Sequence, residues 1–294
     1  MRFGITILPE HPWSKAKDLW RQAEDFGFDH ASTYDHITWS GLPDGPWFSA
    51  TTTLTGASTV TERIKLGMLV ASANFRHPGT FMRDITALDD ISGGRFLLGL
   101  GTGGDADSKI LGGPDLTTKQ RVDRFEEFAQ VLDVLLTNER VSHQGEFFPI
   151  RELSTAPGPT QKPRTPFVMA GNGPRSVRMA ATLGAGWVTM GVKGDDEDDW
   201  WASLIALNEK LDAALDKGDR DVESFPRYLS MDAGHRFSLE SPQLFEDMVG
   251  RAGEIGFTDV ITHWPRPDSP YAGSMQTLET VVGDVIPKVR QGLP

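Results

Sequence analysis

A chain of 294 residues with 41 Asp and Glu against 29 Lys and Arg has a formal charge of −12, which argues against a nucleic-acid partner, because such partners select basic stripes. The absence of cysteine excludes disulfides, thiolate metal sites, iron–sulfur clusters and cysteine nucleophiles. No stretch approaches the ~18 apolar residues of a membrane span, and the segment Arg2 to Leu8 is too short and too uncharged for a secretory signal. The expectation is a cytoplasmic protein with no membrane contact.

Phe3 to Leu8 reads as a first strand. Ser14 then caps a helix whose apolar positions, Ala16, Leu19, Trp20, Ala23 and Phe26, recur at spacings of three and four, and Gly27 closes it. A second strand runs from about Asp29 to Thr33, followed by a Thr-rich helix from about Trp47 to Val60. Ile64 to Ser72 is a third strand. Pro78 opens the next helix, which stops at Ser92, Gly93 and Gly94. Phe96 to Leu100 is apolar throughout and reads as a strand covered on both faces. After it, Asp105 to Pro114 reads as loop.

The second half repeats the rhythm. A helix from about Thr118 to Thr137 aligns Val122, Phe125, Phe128, Leu132 and Leu135 on one face. Strands follow at Phe167 to Ala170, Trp187 to Met190, Arg227 to Asp232 and Asp259 to His263, each trailed by a helical period. Strict alternation implies parallel strands with crossover helices. Eight units predict a closed (β/α)8 TIM barrel, one domain over residues 1–294. A doubly wound open sheet is the alternative. The Pro- and Gly-rich stretch 141–166 has no helical period and reads as an insertion or lid.

In such a barrel the working face lies at the carboxyl ends of the strands. Tyr34, Asp35 and His36 follow the second strand, Asn74 to Pro78 the third, Gly99 to Gly104 the fourth and Ala170 to Pro174 the fifth. Gly171, Asn172, Gly173 and Pro174 lead into a helix, so backbone N–H groups there can cradle a phosphate, with Arg175 and Ser176 as further donors. A tight strand-to-helix turn is the plainer reading. Gly99-Leu-Gly-Thr-Gly-Gly104 matches G-x-G-x-x-G, but no helix follows directly. Those glycines suit a flat ring lying against backbone, or a simple strand-end turn. His36 is the candidate proton carrier. Asp35 either orients it or caps the following turn, and a purely structural His36 is the alternative. The remaining histidines show no metal-binding spacing. Asp195 to Asp199 reads as a solvated helix start, with Trp200 and Trp201 packing behind it.

These segments resemble the bacterial luciferase-like flavin and deazaflavin oxidoreductase family. The resemblance is carried by Leu66 to Pro78, Leu88 to Arg95, Gly99 to Gly103, Gly27 to Asp29, Asp35 with His36, His143 to Phe148, Gln161 to Pro163 and Ala170 to Pro174. It implies the same barrel with an insertion, a homodimer, and a flavin-type ring, FMN or the deazaflavin coenzyme F420, at the carboxyl end of the strands. It also implies a non-prolyl cis peptide at Leu69–Val70 behind the ring. Asp35 and His36 would lie near the ring's polar edge, with Asn74, Gly101, Thr102 and Gly103 flanking the cofactor. Gly171, Asn172, Gly173, Pro174 and Arg175 would hold its phosphate.

Sugar-phosphate dehydrogenases of the family carry a glutamate where this chain has Gly104, and a tryptophan where it has Ser40, with Trp39 one position earlier. The resulting expectation is hydride transfer between F420 and a small organic substrate. An FMN-dependent monooxygenase is the alternative. A flavin-binding protein without turnover is a second, and a lyase or isomerase using only the phosphate cradle is a third.

Overall fold

The structure, a computed structural model, describes residues 1–292. In chain order it comprises β1 (Arg2–Thr6), α1 (Trp13–Asp25), β2 (His30–Thr33), α2 (Ala50–Val60), β3 (Lys65–Ser72), α3 (Pro78–Ile91), β4 (Phe96–Gly101) and α4 (Ala106–Ile110). There follow α5 (Thr118–Thr137), β5 (Arg140–His143), β6 (Ile150–Ser154), β7 (Phe167–Ala170), α6 (Pro174–Leu183), β8 (Gly186–Thr189) and α7 (Glu197–Lys217). The chain ends with β9 (Arg227–Ser230), α8 (Pro242–Glu254), β10 (Asp259–His263), α9 (Met275–Thr280) and α10 (Ile286–Gln291).

Eight of the strands close a parallel barrel in the order β1-β10-β9-β8-β7-β4-β3-β2. The TIM-barrel expectation therefore holds, and the open sheet is excluded. Closure is made by β1, which pairs with β2 on one side and β10 on the other. Alternation along β1 shows how the layers form. Phe3 and Ile5 point outward into the helix layer, where they join Trp20, Phe96, Phe125, Phe128 and Trp187 in the main core. Gly4 faces the lumen, and a Cβ there would sit 1.9 Å from the His30 ring, so only glycine fits. A second, smaller apolar cluster fills the lumen: Val168, Val188, Tyr228 and Ile261, with Leu69, Val70 and Ala170 packed on it.

Several boundaries differ from the sequence expectation. The first helix starts at Trp13 after Pro12, so Ser14 lies inside it. The helix expected from Trp47 begins only at Ala50. The stretch expected as loop after β4 contains the short helix α4. The segment 141–166 is not a free lid: its first half forms the antiparallel hairpin β5–β6. The Glu127 carboxylate accepts the backbone N–H groups of Glu146, Phe147 and Phe148. Arg83 donates to the carbonyls of Ser154 and Ala156. Gln161 bonds both Asp89 and the Phe96 carbonyl. The segment is thus strapped along α3 and α5 at three points.

Arg95, which follows the Ser-Gly-Gly turn, is likewise bound to backbone carbonyls. Its guanidinium donates to the carbonyls of Ser58, Thr61 and Ile64, capping the end of α2 and the start of β3. Trp200 and Trp201 are buried, and Trp200 Nε1 donates to the Met190 carbonyl, holding the loop after β8. Among the described residues no helix is long and apolar enough to cross a membrane.

Candidate active site

The segments expected at the working face do meet at one mouth of the barrel. Just beyond β2, consecutive side chains take different partners. Asp35, buried, accepts a bidentate pair from Arg76 at 2.7 and 2.6 Å. Arg76 in turn lies over the Phe81 ring at 4.3 Å and 3.8 Å from Asp84. Asp35 therefore neither orients His36 nor caps its own turn; it ties the β2 loop to the β3 loop. Burial raises the Asp84 carboxyl above its ordinary range against the pull of Arg76.

His36 is oriented by a residue the sequence reading passed over. Its Nδ1 lies 2.8 Å from Asp107 Oδ2, and Asp107 Oδ1 accepts the Ile37 N–H at 2.7 Å. Asp107 is buried at the start of α4, in the stretch read as loop. A carboxylate acceptor places the proton on Nδ1, which leaves Nε2 with a lone pair. The His36 side chain is 32% exposed, so that nitrogen remains reachable. Trp47 Nε1 donates to the His36 carbonyl at 3.0 Å and closes the loop behind it.

The arc from β3 to β7 carries the remaining predicted residues. The Leu69–Val70 peptide is cis, where the resemblance placed it. Asn74 spends its amide on the carbonyls of Thr102 and Gly104, at 2.9 and 2.6 Å, and so shapes the loop after β4. A Cβ on Gly101 would stand 2.7 Å from Val70 Cγ2. Gly103 has φ +68, and a Cβ there would meet Ser72 Oγ at 2.3 Å. Both glycines are required by the protein's own packing. Gly104 instead faces open space.

At the end of β7, Asn172 is likewise committed. It donates to the Gly191 carbonyl at 2.8 Å and accepts from Thr189 Oγ1 at 2.7 Å, lacing the loops after β7 and β8. The Arg175 guanidinium pairs with Asp123 and Glu126 on α5 and points away from the cradle. What the cradle offers is backbone. Gly173 is the N-cap of α6 with no side-chain cap, Pro174 sits at the first helical position, and a Cβ on Gly173 would meet nothing within 4 Å. The first-turn N–H groups of α6 are thus left without a side-chain cap, the arrangement that favours an anion at a helix start.

A second titratable group occupies the opposite arc. At the end of β9, Asp232 Oδ2 accepts from His263 Nδ1 at 2.7 Å and from the His263 N–H at 2.8 Å, and Oδ1 accepts the Ser238 N–H. His263 Nε2 lies 2.7 Å from Tyr34 Oη, which lies 3.2 Å from Tyr271 Oη. His263 and Tyr271 stack at 3.7 Å between ring centres. Burial, with Tyr271 and Asp232 close by, pushes the Tyr34 phenol well above its ordinary value, and burial raises Tyr271. Asp232 and His263 end predicted strands and Tyr34 follows one, so the strand-end rule could have flagged all three. Tyr271 lies on a later loop with no local signal. Among the described residues no group of three or more His, Asp and Glu side chains is placed to hold a metal ion.

The chain is a closed parallel barrel with a glycine-rich strand-to-helix turn and a carboxylate-oriented histidine at one mouth, and the comparisons place it in a family of oxidoreductases. The sequence profile described as luciferase-like monooxygenase matches residues 1–226, and the chain belongs to that family. It is 30% identical over 269 residues to the F420-dependent glucose-6-phosphate dehydrogenase of Microbacterium testaceum (strain StLB037), covering 86% of this chain and 75% of that protein. It spans 52% to 66% of the length of other curated relatives. In fold it is similar to the coenzyme F420 dependent tetrahydromethanopterin reductase from Methanopyrus kandleri, with a TM-score of 0.78 at 19% identity over 97% of this chain and 98% of that one. It is also similar to monooxygenase RslO1 from Streptomyces bottropensis, with a TM-score of 0.80 at 17% identity, covering 98% of this chain and 100% of that one.

Proposed function

We propose that this protein is an oxidoreductase that transfers hydride between the deazaflavin coenzyme F420 and a small organic substrate. The single observation that carries this reading is His36, fixed through Nδ1 by buried Asp107 and offering Nε2 at a mouth whose α6 N-terminus is uncapped. The relatives' naming as F420-dependent enzymes supports the choice of cofactor over FMN.

The residues present fit such a group. The Leu69–Val70 backbone and the lumen wall would back the ring. The loop Gly101, Thr102, Gly103, shaped by Asn74, would flank its side chain. The N–H groups of Gly173, Arg175 and Ser176 would meet its phosphate; Arg175 and Asn172 act through backbone only. The deazaflavin, when bound, supplies the hydride-accepting or hydride-donating carbon. The protein orients both partners and excludes water. His36 Nε2 would hold or release the accompanying proton, and the Asp107 carboxylate would steady the charged imidazole. Asp35 contributes by positioning the loop that carries His36.

Absorbance titration of the apo-protein with F420 and with FMN tests the cofactor. Saturable F420 binding is expected, and tight FMN binding without F420 binding would replace the deazaflavin with FMN, the monooxygenase cofactor. His36→Ala should keep most of the cofactor affinity and lose turnover by about 10²-fold or more. Unchanged single-turnover hydride transfer would remove His36 from the role. Reduction of bound cofactor by candidate donors separates an enzyme from a storage protein. We further propose a single functional unit over residues 1–294, acting in the cytoplasm as a homodimer. A sedimentation measurement giving a monomer at working concentration would overturn the last point.

A further inference from the structure

The cofactor cradle occupies one half of the barrel mouth, on β3, β4 and β7. The other half, built by β2, β10 and β9, holds Tyr34, His263, Asp232 and the loop residue Tyr271 in one hydrogen-bonded line. His36, on the β2 loop with its ring centre 6.2 Å from that of Tyr34, stands where the two halves meet.

The line has a direction. Asp232 receives only donors, two backbone N–H groups, His263 Nδ1 and the Thr262 hydroxyl, so it is an acceptor throughout. The His263 proton is then on Nδ1, and Nε2 takes the Tyr34 hydroxyl proton. Tyr34 Oη, with its one proton spent, accepts from Tyr271. The open end is a lone pair on Tyr271 Oη, an acceptor for a hydroxyl.

The loop is built to hold that end in place. Tyr271 has φ +65, a conformation uncommon for a side chain of this size. Its ring is stacked between His263, at 3.7 Å, and Trp39, at 6.0 Å. Arg266, paired with Glu10, donates to the Pro270 carbonyl, and its N–H donates to the Tyr271 carbonyl. Trp39 continues to Trp47, 6.0 Å away, which borders His36. The substrate wall on this side is thus aromatic from Tyr271 to His36. Arg76, Arg175 and Arg266, which follow β3, β7 and β10 in the chain, are each already ion-paired.

We propose that Tyr271, Tyr34, His263 and Asp232 form a proton relay that withdraws the hydroxyl proton of an uncharged alcohol substrate while its carbinol hydride leaves for the deazaflavin. The proposal rests on the F420 reading above and deepens it. The carbinol C–H bond breaks with its electron pair going to the cofactor. The hydroxyl proton passes to Tyr271 Oη, the Tyr271 proton to Tyr34 Oη, and the Tyr34 proton to His263 Nε2. The alcohol is oxidised to a carbonyl compound, and the imidazolium forms beside the Asp232 carboxylate. The raised phenols keep both tyrosines protonated until that moment. Tyr271 is the catalytic residue; Tyr34, His263 and Asp232 position and drain it. His36 is left to the ring's own proton.

Two measurements on the full chain test this, with Tyr271→Phe and Tyr34→Phe as variants that keep the rings. Histidine nitrogen NMR of the apo-protein should show His263 protonated on Nδ1, with an Nε2 signal that moves strongly in Tyr34→Phe. An Nε2-protonated form, or a signal indifferent to Tyr34→Phe, overturns the relay. Stopped-flow reduction of F420 by a panel of secondary alcohols, cyclohexanol among them, should fall by about 10²-fold in either variant, with KM within about threefold. The solvent deuterium isotope effect of the wild type should be lost in the variants. A variant rate within twofold of wild type overturns the relay and leaves the cofactor reading intact, as does F420 binding with no alcohol oxidised. Absence of F420 binding overturns the cofactor reading and the hydride step with it, an outcome distinct from failure of the relay in a protein that binds F420.

Discussion

Asp35 and His36 are neighbours in the chain and strangers in the structure. Just past the end of β2, Asp35 meets Arg76 while His36 meets Asp107. The two aspartates therefore predict different phenotypes. Asp107→Asn keeps the shape but exchanges a carboxylate for an amide that can turn either way. Turnover should fall by roughly 10² to 10⁴-fold with cofactor affinity preserved, as measured by single-turnover kinetics beside a binding titration. Asp35→Ala strands a mostly buried guanidinium. It should cost about 3–5 kcal/mol of stability in denaturant unfolding, while the folded fraction loses far less turnover than Asp107→Asn does. Equal loss of turnover in both variants would show that Asp35 belongs to the chemistry after all. The relevant residue types were legible in the chain, and their pairing was not, because every partner is at least 41 positions away.

The elements divide between those a local pattern specifies and those it does not. The cradle at α6 was readable, because small residues followed by Pro mark a strand-to-helix turn. The side chains credited to it, Asn172 and Arg175, turned out to be bound elsewhere. Arg175→Ala should then change cofactor affinity by less than about threefold, since its guanidinium faces α5. Gly173 has φ −77 and tolerates a side chain, so Gly173→Ala should leave the melting temperature unchanged. The added methyl would stand where the phosphate approaches, and affinity should drop by about tenfold in the same titration. The hairpin β5–β6 lies at the other extreme. Its strands alternate weakly, and its position is decided by Glu127, Arg83 and Gln161 reaching from α5, α3 and its own tail. Nothing local announces those contacts, which is why the stretch read as a lid.

At the scale of the whole molecule, closure depends on the seam between the first and last strands. Arg2 bridges it, donating to Asp259 at 2.8 and 2.6 Å, with His30 Nε2 at 3.4 Å. Burial pushes the Asp259 carboxyl upward, but the hydrogen bonds from Arg2 and Thr258 and the nearby His30 outweigh it and hold it at about 2. A carboxylate held below its unfolded value stabilises the fold above that unfolded value and loses the benefit as pH falls through the folded one. The seam should therefore contribute about 2 kcal/mol at neutral pH, lost between roughly pH 4 and pH 2. Urea unfolding of wild type and Asp259→Asn across that range checks it. The gap between them should narrow toward pH 2, and a constant gap would place the effect in packing.

The chain by itself determined the barrel. Eight alternating apolar periods leave few ways to bury every sheet face and helix stripe, and crossovers of one hand close the ring. It also determined that Gly, Asn, Asp and His collect after strands, at one mouth of that barrel. Tertiary structure alone decided which of those groups remain free. Hydrogen bonds and ion pairs saturate most of them: Asp35 on Arg76, Asn74 on the β4 loop, Arg175 on α5. On the proposed reading, the groups left to act are His36 Nε2, the backbone at α6 and Tyr271 Oη. Each is free because its other partners, distant in sequence, are already in place.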